Sequence, residues 1–236
     1  KNEVVDNIFY KTENIIVQRT QEGKKNKRCY LIGNGISLSI NDQNIVTNHD
    51  PFMTKFVPKI QKCFSVYTFY FPFECSGLAE ASKDLSVFIV ELSSLYEEVF
   101  LVGHSKCGLC LYNSAQYCEA ENITLITVST PFRGTFIADK EAVEQKLRFF
   151  PLKKIYNMIF SNHNVDQDLI PDSVFLKSIQ GQHIRYIHHI NFVSSLKAIS
   201  KCKTFTDFIL YLVDRLLGVS GDGIVPLSSQ KIYGVI

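Results

Sequence analysis

The sequence predicts an α/β fold, a mostly parallel central sheet flanked by helices. Three observations carry that prediction. Short strand-like runs alternate along the chain with stretches of helical period, the pattern of parallel strands joined by crossover helices. One of those runs, Val99-Phe100-Leu101-Val102, is wholly apolar, as a strand buried on both faces must be. The 236 residues are 46% hydrophobic and 20% charged with a formal net charge of +2, a balance that supports a large core and excludes an intrinsically disordered chain.

Ile8 to Arg19 is strand-like and runs into the polar cluster Gln21-Glu22-Gly23-Lys24-Lys25-Asn26-Lys27-Arg28, read as a solvated turn. Cys29 to Ile32 is the next strand, ending in a loop that begins Gly33-Asn34-Gly35. The aromatic and β-branched run Phe64 to Phe73 predicts a buried central strand. From Leu78 to Glu98 the apolar positions Leu85, Phe88, Ile89, Leu92 and Leu95 recur near i, i+3, i+4, the face of a helix. Val99 to Val102 then ends on Gly103. A helix is expected from about Ser105 to Glu119, a strand over Ile123 to Ser129, another over Ile184 to Val193, and a helix over Thr206 to Leu217. Residues from about 136 to 182 are less regular and more charged, and are expected to form a lid-like helical insertion in a single domain spanning 1–236.

No stretch of 18 uninterrupted apolar residues occurs, so no membrane span is indicated. The near-neutral charge gives no reason to expect a nucleic-acid partner. The seven cysteines, at 29, 63, 75, 107, 110, 118 and 202, are odd in number and irregular in spacing. They do not form a secreted disulfide framework, which favours a reducing compartment without fixing one. Cys107-x-x-Cys110 lacks a second ligand pair and is read as helix packing, not as a zinc or redox site.

The segment Val99 to Gly108 reads strand, sharp turn, helix, with Ser105 at the turn. Such a turn lifts a serine hydroxyl above the sheet edge and aims the N–H groups of the new helix at it. Gly103 stands two residues before the serine. Cys107 occupies the place of a second glycine, and Gly108 follows. Two further segments come later: Ser129-Thr130-Pro131-Phe132-Arg133-Gly134-Thr135, and Gly221-Asp222-Gly223-Ile224-Val225-Pro226-Leu227-Ser228-Ser229.

In this order the three segments resemble the α/β-hydrolase superfamily, in its bacterial triacylglycerol-lipase and esterase branch. The resemblance spans about Tyr30 to the end of the chain. It implies a serine hydrolase of carboxylic esters, lipid esters among them, that needs no metal or other cofactor. Ser105 matches the nucleophile and Asp222 the acid that orients the catalytic histidine. The oxyanion hole would comprise the backbone N–H of Lys106 and that of Asn34, with Gly35 or Ile36 as alternatives to Asn34. The insertion would lie over the site, with Phe149, Phe150, Ile155 and Phe160 as acyl-pocket walls, and its lysines and arginines allow transient contact with a membrane surface. An acyltransferase would use the same residues.

One departure concerns the base. The family order places the catalytic histidine after Asp222, and no histidine follows His189. The expectation is that the C-terminal end is missing and carries it. Two alternatives stand beside that expectation. One of the six histidines present (His49, His104, His163, His183, His188 or His189) is recruited, or the fold serves as a non-catalytic binding module.

Overall fold

Residues Thr12 to Ile15 break the first extended stretch into a hairpin, because Thr12 and Asn14 are pulled out of the strand by a distant carboxylate. Asp84 Oδ2 accepts hydrogen bonds from Thr12 Oγ1 at 2.7 Å and Asn14 Nδ2 at 2.9 Å. The single strand expected over Ile8 to Arg19 is therefore two, β1 (Ile8–Lys11) and β2 (Ile16–Gln21), paired antiparallel. The computed structural model describes residues 8–21, 27–33, 57–60, 63–72, 74–139, 167–182, 184, 187–193 and 225–232.

Beyond the hairpin the chain forms β3 (Arg28–Gly33), β4 (Ser65–Tyr70), α1 (Leu78–Leu95), β5 (Glu98–His104), α2 (Lys106–Ala115), β6 (Ile123–Val128), a 3₁₀ turn (Phe136–Ala138), α3 (Val174–Ile179) and β7 (His188–Phe192). The seven strands make one mixed sheet in the order β1-β2-β4-β3-β5-β6-β7. β1, β2 and β4 are antiparallel neighbours, and every pairing from β4 onward is parallel.

Alternation along each strand sorts side chains to the two faces. Leu31, Tyr67, Phe69, Leu101 and Leu125 join the main core with Leu85, Phe88 and Ile89 of α1 and Leu109 and Tyr112 of α2. Their neighbours Ile32, Val66 and Val102 form a smaller cluster with Val57 on the other face. Leu85, Phe88, Ile89 and Leu92 of the expected apolar stripe are buried, whereas Leu95, the last residue of α1, is 62% exposed.

Side chains distant in the sequence satisfy both ends of α1, and a local serine caps α3. Gly77 gives α1 no side-chain cap, and Asp168 supplies one from 90 residues away, its Oδ2 accepting from Leu78 N–H at 2.6 Å. Burial raises the Asp168 pKa, and that hydrogen bond partly offsets the rise. At the far end, Asn122 Nδ2 donates to the carbonyls of Ser93 and Tyr96 at 2.9 and 2.8 Å, tying the exit of α1 to the start of β6. Ser173 caps α3 by accepting from Leu176 N–H.

Of residues 136 to 182, the 3₁₀ turn and α3 are described; residues 140 to 166, where most of the lid-like insertion is expected, and the stretch Thr206 to Leu217, expected to be a helix, lie outside the described residues. Among the described residues, no helix is long and apolar enough to cross a membrane.

Candidate active site

β5 ends at His104 and α2 opens at Lys106, leaving Ser105 alone to reverse the chain. Its backbone sits at φ 54°, ψ −128°, a conformation that costs a side-chain-bearing residue on the order of 1–3 kcal/mol. Two hydrogen bonds hold it there: Ser105 N–H donates to Val128 O, and Gly108 N–H donates to Ser105 O, both at 2.9 Å. A serine at a helix N-terminus ordinarily caps the first turn with its hydroxyl. Ser105 makes no such cap, so its Oγ is not spent on the helix.

Glycine is required around this turn by contact distances. A Cβ on Gly103 would fall 2.6 Å from Gly108 Cα and 2.7 Å from Gly108 N, well inside van der Waals contact. The place of the second glycine is taken by Cys107, and the room for it comes from β3. A Cβ on Gly33 would meet Cys107 Cβ at 2.6 Å and collide with the Phe69 ring. Gly108 in turn leaves space for the Thr130 side chain, into which any Cβ would run.

The sheet order explains why this turn is a place for a ligand. From β3 the chain steps to β4 on one side, then crosses back through α1 to β5 on the other side and continues to β6 and β7. The order in which strands are added to the sheet reverses between the parallel neighbours β3 and β5, and a crevice opens outside the carboxyl ends of two such strands. Gly33 and Gly103 are register partners, so the end of β3 stands level with the approach to Ser105.

The elbow, the β6 exit loop and the C-terminal segment are fastened together. Ser129, itself at φ 49°, donates its N–H to Phe192 O at 2.9 Å. Ser229 Oγ accepts from Arg133 N–H at 3.1 Å and donates to Gly134 O at 2.6 Å. Asn191 Nδ2 donates to Gln230 O at 2.8 Å. The run Val225 to Gln230, which follows Asp222 in the chain, is thereby docked on the loop that packs Thr130 against the elbow. Gly33, Thr130 and Ser229 were not singled out from the sequence. The only signal for them was that each lies in or beside a motif that was.

Lys106 is buried, with Nζ 5.9 Å from the centre of the Phe71 ring, a cation–π distance. Its backbone N–H is the first of α2, and first-turn N–H groups have no acceptor within a helix. Asn34, Asp222, Phe149, Phe150, Ile155 and Phe160 lie outside the described residues, as do His49, His163 and His183.

The two histidines of β7 are too far away to serve Ser105. His189 is level with Leu125, and Leu125 with Leu101, four residues short of Ser105 and two strands aside. At strand rise and spacing that is about 16 Å. The role of His189 is structural. Its Nε2 lies 2.8 Å from Thr127 Oγ1, which donates to Asn191 Oδ1 at 2.9 Å and so accepts from the imidazole. Burial lowers its pKa to about 4. His188 points to the opposite face and is exposed. Cys107 and Cys110 are fully buried in the main core, and burial pushes the Cys110 thiol up to about 12, far from a reactive thiolate.

No protein-family model and no curated protein matches the chain. Solved structures do. The mature form of the Bacillus licheniformis lipase BlEst2 superposes with a TM-score of 0.63 at 14% identity, over 95% of this chain and 87% of that one. Its propeptide form gives 0.59 at 14% identity, over 94% and 47%. The phospholipase PlaB from Legionella pneumophila gives 0.55 at 12% identity, over 86% and 45%. The chain thus spans about half the length of these last two. At such identities the likeness is one of fold. These neighbours are α/β-hydrolase-fold lipases and esterases, and the chain has the α/β-hydrolase fold.

Proposed function

We propose that the chain is a serine hydrolase of lipase or esterase type that cleaves carboxylic esters, lipid esters among them, through an acyl-enzyme on Ser105. The observation that carries this reading is the backbone of Ser105, held at positive φ with its hydroxyl not used as a cap. Strain of that kind persists where the surrounding structure enforces it, and such positions cluster at functional sites.

In this mechanism Ser105 Oγ attacks the ester carbonyl while a base accepts its proton. The oxyanion of the tetrahedral intermediate is met by the backbone N–H of Lys106, assisted by that of Asn34. Each donor contributes on the order of 3 kcal/mol to the transition state. Collapse expels the alcohol, which takes the proton back from the base. Water activated by the same base then releases the acid and frees Ser105. Asp222 orients the base, the histidine that the family order places after it. The insertion, with Phe149, Phe150, Ile155 and Phe160, receives the acyl chain and gives passing contact with a lipid surface.

The test is labelling with a fluorophosphonate probe, read by intact mass. Wild-type protein gains one adduct, on Ser105, and Ser105→Ala gains none. Labelling that persists in Ser105→Ala would sink the assignment of the nucleophile. A folded wild-type protein that never labels turns the reading to a non-catalytic binding module.

A further inference from the structure

A cavity of about 410 Å³ lies between α2, the β6 exit loop, the end of α3 and the C-terminal segment. Neither Ser105 nor Lys106 lines it. Its volume falls within the range of small-molecule pockets, roughly 300–1,000 Å³.

The walls divide by chemistry. Tyr112, Phe132, Ile179 and Ile232 supply apolar surface, the first three of them buried. The Tyr112 hydroxyl is already committed, donating to Gln182 O at 2.8 Å, so the tyrosine offers the cavity its ring. Tyr112 and Phe132 meet edge to face with centroids 5.2 Å apart, which gives that wall a fixed shape. Among the described residues of the lining, the charged ones are Arg133 and Lys231, and none is an Asp or Glu. Gly181 is exposed, and a Cβ added to it would find no atom within 4 Å.

We propose that this cavity binds an alkyl chain with an anionic head, a fatty-acid carboxylate or an alkyl phosphate, as a ligand site separate from Ser105. The apolar wall removes the chain from water, which favours binding more strongly with each methylene buried. Lys231, exposed on the wall of the cavity, gives the site a positive charge, and an ammonium suits carboxylate and phosphate heads. A cationic amphiphile with the same chain meets like charge and is excluded. The inference does not depend on Ser105 being a nucleophile.

Isothermal titration of the wild-type protein with sodium octanoate, octyl phosphate and octyltrimethylammonium tests it. At least one of the anions saturates with one site per chain, and the ammonium compound binds at least tenfold more weakly. The tighter of the two anions identifies which head the site serves. Lys231 is exposed, so Lys231→Glu leaves the fold intact by circular dichroism while weakening the anion about tenfold, the scale of one charged contact. A diazirine-bearing fatty acid cross-links to the peptides that carry Ile179 to Gln182 or Lys231. Saturation by neither anion overturns the proposal. So does anion binding that Lys231→Glu leaves unchanged, or cross-linking confined to other peptides.

Discussion

Gly103 and Gly108 touch backbone to backbone across the Ser105 turn, with 2.6 Å between the place of a Gly103 Cβ and Gly108 Cα. No rotamer change relieves such a contact, because both partners are main chain. Gly103→Ala should therefore force β5 and α2 apart, with an overpacking cost of about 2–3 kcal/mol, read as a lower urea midpoint. It should abolish fluorophosphonate labelling as well. Cys107→Gly makes the complementary case. Its side chain already fits against Gly33, so restoring a glycine there gains nothing, costs roughly 1 kcal/mol of helix propensity, and leaves labelling in place.

Ser105 offers a direct trade between stability and activity. Its φ of 54° and ψ of −128° suit glycine, which adopts positive φ without a Cβ clash. Ser105→Ala keeps the clash and Ser105→Gly removes it. We expect Ser105→Gly to exceed Ser105→Ala by about 1 kcal/mol in unfolding free energy, net of the extra entropy of an unfolded glycine. Both variants lose labelling. Equal stabilities would mean that the turn stores no strain at Ser105.

How far the sequence could be read follows from which contacts are local. The strand-helix alternation, the apolar stripe of α1 and the Gly103-Ser105 turn depend on neighbours in the chain, and all were legible. The break between β1 and β2 was not, because it is made by Asp84, 70 and 72 residues from its partners Asn14 and Thr12. The cap of α1 was hidden for the same reason, since Asp168 lies 90 residues from Leu78. The room for Cys107 in place of a glycine was hidden too, because Gly33 of β3 provides it and stands 74 residues away in the chain. Spacing told that a serine stood at a turn. Only the register of the sheet separated His189 from it.

Ser229 joins the C-terminal segment to the β6 exit loop through one hydroxyl. It donates to Gly134 O and accepts from Arg133 N–H, in a buried setting. Ser229→Ala leaves a buried carbonyl and a buried amide without these partners, a loss of about 2 kcal/mol. The damage should be local before it is global. Amide hydrogen exchange should accelerate at Arg133 and across Val225 to Gln230 while the α1 amides keep their protection. Uniform acceleration throughout the chain would show that Ser229 matters for stability only, not for holding the loop.

His189 makes stability depend on pH in a defined window. The folded state keeps its imidazole neutral down to about pH 4, because the ring is buried against Tyr112 and Phe132. The unfolded chain takes up the proton near the ordinary value of 6.5. Between those values the unfolded state binds more protons, so stability rises with pH there. The contribution is fully present above pH 6.5, falls as the pH is lowered, and has lost about 3 kcal/mol by pH 4. His189→Phe removes the titrating group while keeping a ring beside Tyr112, at the cost of the bond to Thr127. Urea unfolding at pH 7.5 and pH 4.5 should show a smaller pH dependence for His189→Phe than for wild type, by about 2–3 kcal/mol. The same pH dependence in both proteins would mean that burial does not hinder His189 from taking up its proton in the folded state.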